Sequence, residues 1–266
     1  MALQLGLNKC SNAEYHSAKE WLSSSSLKSI LKSPAKFYAD LQEKPTEVEN
    51  GNFLEGSLLH SMVLEEHQVS KEYAFFTGMR KAGKEFETFK EENPDKTIVS
   101  LGQHSRCKTY KKAFEANKTA VNLLKGCETE YSICAELMGV KLKVRFDAIN
   151  IEQRYGLDLK TSSFGVDHES FKMTMNQFGY GLSAALYSWV AELHYGHPID
   201  FYMVPIGKQD LDCQVYKISQ ETHSRGRLDI IKAINIYKEC LTSGVWPATI
   251  NLKVNKTVGD YQILEV

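Results

Sequence analysis

Strand-like patterning between Tyr131 and Lys160 is the feature that most constrains the fold of this chain. Two runs, Tyr131–Met138 and Val140–Ile149, meet at Gly139, and so short a connection predicts an antiparallel hairpin. A third strand is predicted at Gly156–Thr161. The pattern is mainly helical before this stretch, and helices and strands follow it at residues 168–195, 199–206, 213–218 and 220–242. This order predicts a mixed α/β sheet flanked by helices, with a helical N-terminal region.

Two predicted strands that are consecutive in the sequence, Val140–Ile149 and Gly156–Thr161, carry two carboxylates and one amine. Asp147 closes the run Lys141–Asp147, and Asp158-Leu159-Lys160 lies on the next strand. Side chains at positions i and i+2 of a strand point to the same face, so Asp158 and Lys160 are neighbours. Asp147 joins them if the two strands pair. Because hard cations prefer carboxylate oxygens, this spacing predicts a site for one or two Mg²⁺ ions, with Mn²⁺ as a substitute.

Such a site has the parts that phosphodiester hydrolysis needs, namely a metal, an activated water and a group that orients it. In this interpretation the backbone carbonyl of Leu159 is a further oxygen ligand, and Lys160 orients the water. Taken alone, the same three residues also describe an ordinary strand end, at which Asp158 and Lys160 form a surface ion pair.

Three other residues could belong to the same site. His60 lies on a predicted helix, Phe53–Glu66, where its imidazole could complete a mixed oxygen–nitrogen metal site or be a partly buried structural residue. Glu136, on the first strand of the hairpin, could reach the site or face solvent. Arg145 shares a strand face with Asp147 and could contact a phosphate or a carboxylate, or form a structural salt bridge.

Composition restricts the class of protein. A chain of 266 residues can form one large α/β domain, and none of its apolar runs approaches the roughly 20 residues of a membrane span. The N-terminus lacks the basic region and long apolar core of a signal peptide, so we expect a cytoplasmic protein with no membrane partner. The six cysteines form no C-x2-C pair, which argues against a zinc ribbon, an iron–sulfur cluster and disulfides. With a net charge of −1, nucleic-acid binding would require basic residues to segregate on one face.

Several segments resemble one known family. The signature residues are Leu59-His60, Arg145-Phe-Asp147 and Asp158-Leu-Lys160-Thr-Ser. The flanking segments are Ser23–Tyr38 with its Ser-Pro-Ala turn, Leu54–His60, Tyr180–Tyr187 and Trp246-Pro247. Together they resemble the RecE-type branch of the PD-(D/E)xK nucleases, which are related to the RecB nuclease domain and, more distantly, to lambda exonuclease. The resemblance runs in order over residues 22–250, which would be the nuclease domain. Residues 1–21, which are weakly patterned, would be an N-terminal extension and 251–266 a C-terminal tail.

This resemblance implies a Mg²⁺-dependent exonuclease that degrades linear double-stranded DNA from its ends, 5′ to 3′, leaving 3′ overhangs for recombination by strand annealing. His60, Asp147 and Asp158 would be metal ligands, and Lys160 the catalytic lysine. It also implies a ring-shaped homo-oligomer, a trimer or tetramer, and a single-strand annealing protein as partner. The setting would be a bacterial or phage-infected cell.

The chain departs from the family on its late helix. Ser183 stands where the family has Gln, Tyr187 is kept, and Gln177 lies six residues earlier. Of these, only Tyr187 is carried over as a supporting residue for recognition of the DNA end. Other readings stay open: a PD-(D/E)xK endonuclease, a Cas4-like nuclease, which the absent cysteine cluster disfavours, and a silent DNA-binding scaffold, which the intact Asp, Asp and Lys set disfavours.

Overall fold

The computed structural model describes residues 3–42 and 51–248, together with the backbone of residues 256–258 and 261–263. In these residues the α-helices are α1 (Asn12–Ser17), α2 (Ser24–Lys32), α3 (Pro34–Gln42), α4 (Gly51–Leu64), α5 (Val69–Glu72), α6 (Lys84–Glu91), α7 (Leu101–Ala116), α8 (Lys118–Leu123), α9 (His168–Phe178), α10 (Tyr180–Tyr195) and α11 (Gln220–Ser243). The strands are β1 (Gly6–Asn8), β2 (Tyr73–Phe76), β3 (Thr97–Ser100), β4 (Glu128–Leu137), β5 (Val140–Asn150), β6 (Tyr155–Ser162), β7 (Asp200–Gly207), β8 (Tyr216–Lys217), β9 (Lys256–Val258) and β10 (Tyr261–Ile263).

A main sheet runs in the order β1-β4-β5-β6-β7-β8. Its pairs are antiparallel except β6 with β7, which are parallel. The helices α9 and α10 form the long crossover that a parallel pair requires. At the tip of the β4–β5 hairpin, Met138 and Gly139 have left-handed φ values of 54° and 77°, a backbone that glycine adopts without strain. The predicted mixed α/β sheet flanked by helices, with a helical N-terminal region, is confirmed.

Helices cover both faces of this sheet, and each face has its own core. On one face α2, α10 and α11 pack over large buried side chains such as Phe146 and Phe201. On the other face α4, α7 and α8 pack over a second cluster that includes Leu157 and Leu159. A β-carbon at Gly226 would lie 2.6 Å from the Gly181 carbonyl oxygen, so glycine is needed where α11 crosses α10. Two covered faces explain why β7 carries a nearly continuous apolar run from Phe201 to Ile206.

Residues 3–21 are more regular than the weak patterning of the N-terminal segment suggests. Strand β1 pairs with β4 at the edge of the sheet, and α1 begins at a capping box formed by Ser11 and Glu14. The buried amine of Lys143, on β5, donates to the carbonyl of Ala18 at 2.8 Å and to that of Tyr15, so it satisfies groups at the end of α1. This segment therefore lies against the hairpin that carries Asp147.

The two ends of the region that resembles the nuclease family meet in space. The backbone N–H of Ala35, in the Ser-Pro-Ala turn, donates to the carbonyl of Pro247 at 3.0 Å. The ring of Trp246 stacks on Tyr38 with ring centroids 4.8 Å apart. Aromatic packing of this kind fixes the chain beyond α11 against α3.

A small lobe supports the helix that carries His60. Strands β2 and β3 pair in parallel, and α6, between them in sequence, packs Phe86 and Phe89 against Phe76. Side chains from this lobe and α7 bury the apolar face of α4. In the tail, β9 and β10 pair with each other, and the other residues after 248 lie outside the described part. Within the residues described, no helix combines the length and apolar character needed to cross a membrane.

Candidate metal centre and active site

The site forms where two neighbouring strands separate. Strands β5 and β6 pair only from Ala148 with Leu157 to Asn150 with Tyr155, so the next residues of β6 have no ladder partner on that side. The carboxylate of Asp147 accepts the unpaired N–H of Leu159 at 2.6 Å. A buried backbone donor left unpaired would be costly, so this contact stabilises the separation. As a result, Asp147 is held against the Asp158-Leu159-Lys160 segment. The place where β5 and β6 separate, between Asp147 and these three residues, is called the split below.

His60 reaches the split from α4. One ring nitrogen, Nε2, donates to the carbonyl oxygen of Leu159 at 3.0 Å, and the other, Nδ1, lies 3.6 Å from Asp147 Oδ2. Because a nitrogen that faces a carbonyl must carry a proton, Nδ1 is the nitrogen whose lone pair can bind a metal. Metal-binding histidines commonly use this arrangement, in which the second N–H is held by a backbone carbonyl. The structure therefore brings His60 and Asp147 together as potential ligands.

The carbonyl of Leu159 makes two contacts in this structure. It accepts from His60 Nε2 and, at 3.2 Å, from the amine of Lys160. The carbonyl therefore orients both side chains toward the split. Its predicted part as an oxygen ligand of the metal stays a prediction.

Glu130, not Glu136, is the acidic residue that β4 contributes. Glu136 is exposed and pairs with Lys141, near the turn of the hairpin, so it does not reach the split. Asp147 lies at the far end of β5, between the residues that pair with Thr129 and Tyr131. Counting back from the turn at Gly139 would have identified Glu130 as the residue opposite Asp147.

The backbone at Glu130 departs from regular strand geometry. Its φ of 49° is left-handed, an uncommon conformation for a residue other than glycine, and the ladder skips Glu130 and Asp147 while keeping the same register on either side. Ligand atoms of His60, Glu130 and Asp147 all lie within 4.8 Å of one another. Strain that persists at a single residue is often associated with function. Here the strained residue is the one whose carboxylate lies beside the other two potential ligands.

Arg145 holds this carboxylate in place. Its Nε donates to Glu130 Oε2 at 2.5 Å, and its Nη1 donates to the carbonyl of Cys10 at 2.9 Å. The sequence left open whether Arg145 contacts a phosphate, contacts a carboxylate or forms a structural salt bridge. In the structure it forms a salt bridge with the carboxylate of Glu130. Because Cys10 follows β1, the guanidinium links the N-terminal segment to the metal-ligand group.

Lys160 and Asp158 form an ion pair beside this group. The amine contacts Asp158 Oδ2, and that oxygen is buried without a hydrogen bond of regular geometry. Burial alone would lower the pKa of Lys160, but the carboxylates of Asp158 and Asp147 outweigh burial and hold that pKa above its usual range. Asp158 is not among the three residues whose ligand atoms cluster, so the predicted ligand set of His60, Asp147 and Asp158 is only partly brought together.

A second amine, which the sequence analysis did not single out, lies near Lys160. Lys28, on α2, donates to the hydroxyl of Ser183 at 3.1 Å and to the carbonyl of Phe178 at 3.1 Å. Burial lowers the pKa of Lys28, and the charge of Lys160 lowers it further. Ser183, where the family has Gln, is therefore the partner of a lysine that lies close to the site.

Tyr187 is partly buried and packs against the core beside β5. Its ring lies against Phe146 and Phe201 at centroid distances of 5.1 Å and 5.5 Å, and burial raises its pKa well above the usual range. These contacts support β5, and a part for Tyr187 in recognition of a substrate end stays a prediction.

Negative charge is concentrated at the ligand group. Burial raises the pKa of Asp147 to about 6, with the Asp158 carboxylate raising it further and His60 opposing the shift. Burial likewise raises the pKa of Glu65, and the neighbouring carboxylate of Glu130 adds to the shift. Carboxylates held together in this way repel one another, and a divalent cation would relieve the repulsion.

The donor set fits a hard divalent cation. Glu130 and Asp147 offer carboxylate oxygens and His60 an imidazole nitrogen, a mixture that Mg²⁺ or Mn²⁺ accepts. Asp158, whose Oδ2 is paired with the Lys160 amine, adds a further negative charge nearby that raises the pKa of Asp147. The Leu159 carbonyl orients His60, and Arg145 orients the carboxylate of Glu130. Contacts of this kind usually orient the ligands of bound metals.

Comparisons with known proteins agree with this geometry. A family model described as a PDDEXK-like domain of unknown function (DUF3799) matches residues 23–252. The chain belongs to this family. It is therefore a member of the PD-(D/E)xK superfamily.

Solved structures also resemble this PDDEXK-like chain. The crystal structure named "Putative exonuclease" from Eubacterium rectale superimposes with a TM-score of 0.66 and 16% identity, covering 96% of each chain. A phage related exonuclease from Haemophilus somnus gives a TM-score of 0.40 and 12% identity, covering 85% of this chain and 96% of that one. No match was found among curated protein sequences. The first likeness shows a shared fold over nearly the whole length.

The two glutamates of β4 provide a matched test of the ligand group. Glu130→Gln should weaken binding of Mn²⁺ by roughly tenfold or more, because one carboxylate of the group becomes a neutral amide. Glu136→Gln, on the same strand but near the turn, should bind Mn²⁺ as the wild type does. Calorimetric titration of the metal-free proteins measures both. Equal affinities for the two variants would show that Glu130 is not a ligand.

Proposed function

We propose that this chain is a Mg²⁺-dependent exonuclease of the RecE type that degrades linear double-stranded DNA. The observation that carries the proposal is the conjunction, at one split in the sheet, of the His60–Glu130–Asp147 group with the amine of Lys160. A metal-ligand group alone would suit many proteins. A lysine held beside it by an acidic residue, in a PDDEXK-like fold, suits hydrolysis of a phosphodiester.

Each residue has a distinct task in this proposal. His60, Glu130 and Asp147 hold the cation, which when bound would neutralise charge on the scissile phosphate and favour the hydroxide form of a bound water. Lys160 donates hydrogen bonds to the attacking water or to the phosphate, and the Asp158 carboxylate keeps its amine oriented. Arg145 keeps Glu130 aimed at the cation. The chemistry then depends mainly on positioning and electrostatic stabilisation.

The finer features of the proposal are supported by the resemblance to RecE-type nucleases. They are digestion from 5′ ends, 3′ overhangs for strand annealing, a trimeric or tetrameric ring around the DNA, and a single-strand annealing partner in a bacterial or phage-infected cell. The name of the Eubacterium rectale protein, which shares the fold, agrees with exonuclease activity.

The first experiment compares duplex ends with a duplex that has none. Purified protein with Mg²⁺ should release nucleotides from linear duplex and leave covalently closed circles intact, because an exonuclease needs an end. Labels on the 5′ or the 3′ ends of the linear duplex then report polarity, and early release of the 5′ label supports the proposal. Digestion of closed circles at a similar rate would instead indicate an endonuclease. No release with Mg²⁺ or Mn²⁺ would reject enzymatic function and favour a DNA-binding scaffold.

A further inference from the structure

An aromatic pair occupies the corner between α9 and α10. Phe178 ends α9, Gly179 has a left-handed φ of 61°, and Tyr180 begins α10. In a continuous helix residues two apart point away from each other. At this corner the two rings instead stack, with centroids 5.7 Å apart and planes inclined by 23°. The left-handed backbone favours glycine at position 179, and a β-carbon there would also lie 2.9 Å from Cδ of Lys28 on α2.

This corner lies next to Lys160, the proposed catalytic lysine. The amine of Lys160 lies 5.8 Å from the centre of the Tyr180 ring, and the amine of Lys28 lies 5.9 Å from it. Lys28 also donates to the carbonyl of Phe178, which ties the end of α9 to α2. Each distance is within the span of a single nucleotide. A strand whose phosphate lies at Lys160 therefore has its next base within reach of these rings.

The outer ring of the pair is available to solvent. Phe178 is 46% exposed, whereas Tyr180 is partly buried and has both lysine amines near its ring. A single exposed phenylalanine is unremarkable on a protein surface. Here the exposed ring extends a stack that begins beside two cations and the metal-ligand group. Aromatic faces next to positive charge are how proteins bind unpaired nucleotides, because each base has a π face and each phosphate a negative charge.

We propose that the Phe178–Tyr180 pair is a stacking platform for the terminal nucleobase of the DNA strand being cut. This inference rests on the proposed nuclease function and adds a site that holds the end of its substrate. A base inside a duplex is covered by its neighbours, so the platform would select terminal or frayed bases over internal ones. It would thus give the chain a means of recognising ends on the helix where the family's Gln is replaced by Ser183.

The test uses short duplexes with 2-aminopurine, a fluorescent base whose emission is quenched by stacking. Placed at the 5′ terminus, 2-aminopurine should change its emission on binding to wild-type protein in Ca²⁺, and placed ten base pairs inside it should not. Phe178→Ala should abolish the terminal signal and raise the KM for duplex ends in Mg²⁺ about tenfold, with kcat within about twofold. Phe178→Trp should keep both the signal and the KM. Tyr38→Ala removes another half-exposed, stacked ring from a different surface and serves as the control.

The outcomes separate this inference from the proposed function. If the wild type hydrolyses duplex ends and Phe178→Ala matches it in KM and in terminal 2-aminopurine emission, the platform is rejected while the nuclease stands. If Phe178→Ala and Tyr38→Ala raise KM equally, the effect is not specific to the corner, and the platform is again rejected. If no protein hydrolyses DNA but the terminal signal depends on Phe178, the nuclease fails and the platform is retained as a binding site for DNA ends. Melting temperatures of the variants show whether each is folded.

Discussion

Replacing Lys160 by methionine should lower the rate of nucleotide release by roughly 10²–10³-fold, the usual effect of removing one group that stabilises a transition state. Methionine keeps most of the length and apolar stem of the side chain but cannot donate to water or phosphate. The amine contacts Asp158 and the Leu159 carbonyl and does not contact the three clustered ligands. Binding of Mn²⁺ and of duplex DNA should therefore change by only a few fold.

Stability needs to be followed in the same variant. Asp158 is almost fully buried, and removal of its partner leaves its charge uncompensated, which is destabilising. The melting temperature of Lys160→Met should fall, and a DNA affinity within a few fold of the wild type would show that the variant is folded at the assay temperature. Lys118→Met, at an exposed lysine at the start of α8, is the control and should retain full activity. A Lys160→Met protein that releases nucleotides at more than a tenth of the wild-type rate would contradict a catalytic role for this lysine.

Local patterns were sufficient to predict the centre of the fold. The β4–β5 hairpin follows from alternating apolar residues on either side of a glycine turn, and each of these signals lies within about ten residues. The neighbours Asp158 and Lys160 follow from strand periodicity alone. His60 could be placed on a helix, but its contact with Asp147 spans 87 positions of sequence and depends on how α4 packs on the sheet.

The remaining parts of the site depend on tertiary structure. The separation of β5 from β6 leaves no mark in either strand's composition, yet it exposes the Leu159 N–H that Asp147 accepts. Lys28 has the sequence context of an ordinary helix-surface lysine, and only the packing of α2 beside the α9–α10 corner brings it near Lys160. Strand β1 is three residues long, too short for a periodic signal.

The prediction of Glu136 differs from these cases, because the sequence already held the information that points to Glu130. A hairpin with its turn at Gly139 pairs residues symmetrically about that turn, so the position opposite Asp147 could be counted. Residue type and strand membership had suggested Glu136 instead. Register is therefore the stronger criterion when a carboxylate on a neighbouring strand is sought.

Asp147→Asn should make the metal-free protein more stable at pH 8 while abolishing its response to metal. Burial raises the pKa of Asp147 to about 6, above the value of roughly 4 that an aspartate has in an unfolded chain. A raised pKa means that the folded state favours the protonated carboxyl. The stability that the protonated Asp147 carboxyl contributes is fully present below about pH 4 and is lost as pH rises through about 6. At pH 8 the buried carboxylate therefore costs the folded state roughly 2–3 kcal/mol. Asparagine is neutral at every pH and can still accept the N–H of Leu159.

Urea unfolding in EDTA at pH 5 and pH 8 measures this difference. The gain in the free energy of unfolding for Asp147→Asn over wild type should be larger at pH 8 than at pH 5. Asp95→Asn, at an exposed aspartate, should show no such pH-dependent gain. If Asp147→Asn is less stable than wild type at pH 8, the contact with Leu159 outweighs the cost of burying the charge.

Addition of metal should reverse the order of the two proteins. A cation that binds only the folded state stabilises it by about 4.1 kcal/mol at one thousand times its dissociation constant, which exceeds the roughly 2–3 kcal/mol that the Asp147 carboxylate costs. Wild-type protein should gain this stability in Mn²⁺ or Mg²⁺, because the cation compensates the carboxylates of Asp147 and Glu130. Asp147→Asn should gain little and should release no nucleotides from DNA. The carboxylate that destabilises the metal-free fold at neutral pH is then the one that the metal centre requires, which explains why a partly buried charge is kept at the split between β5 and β6.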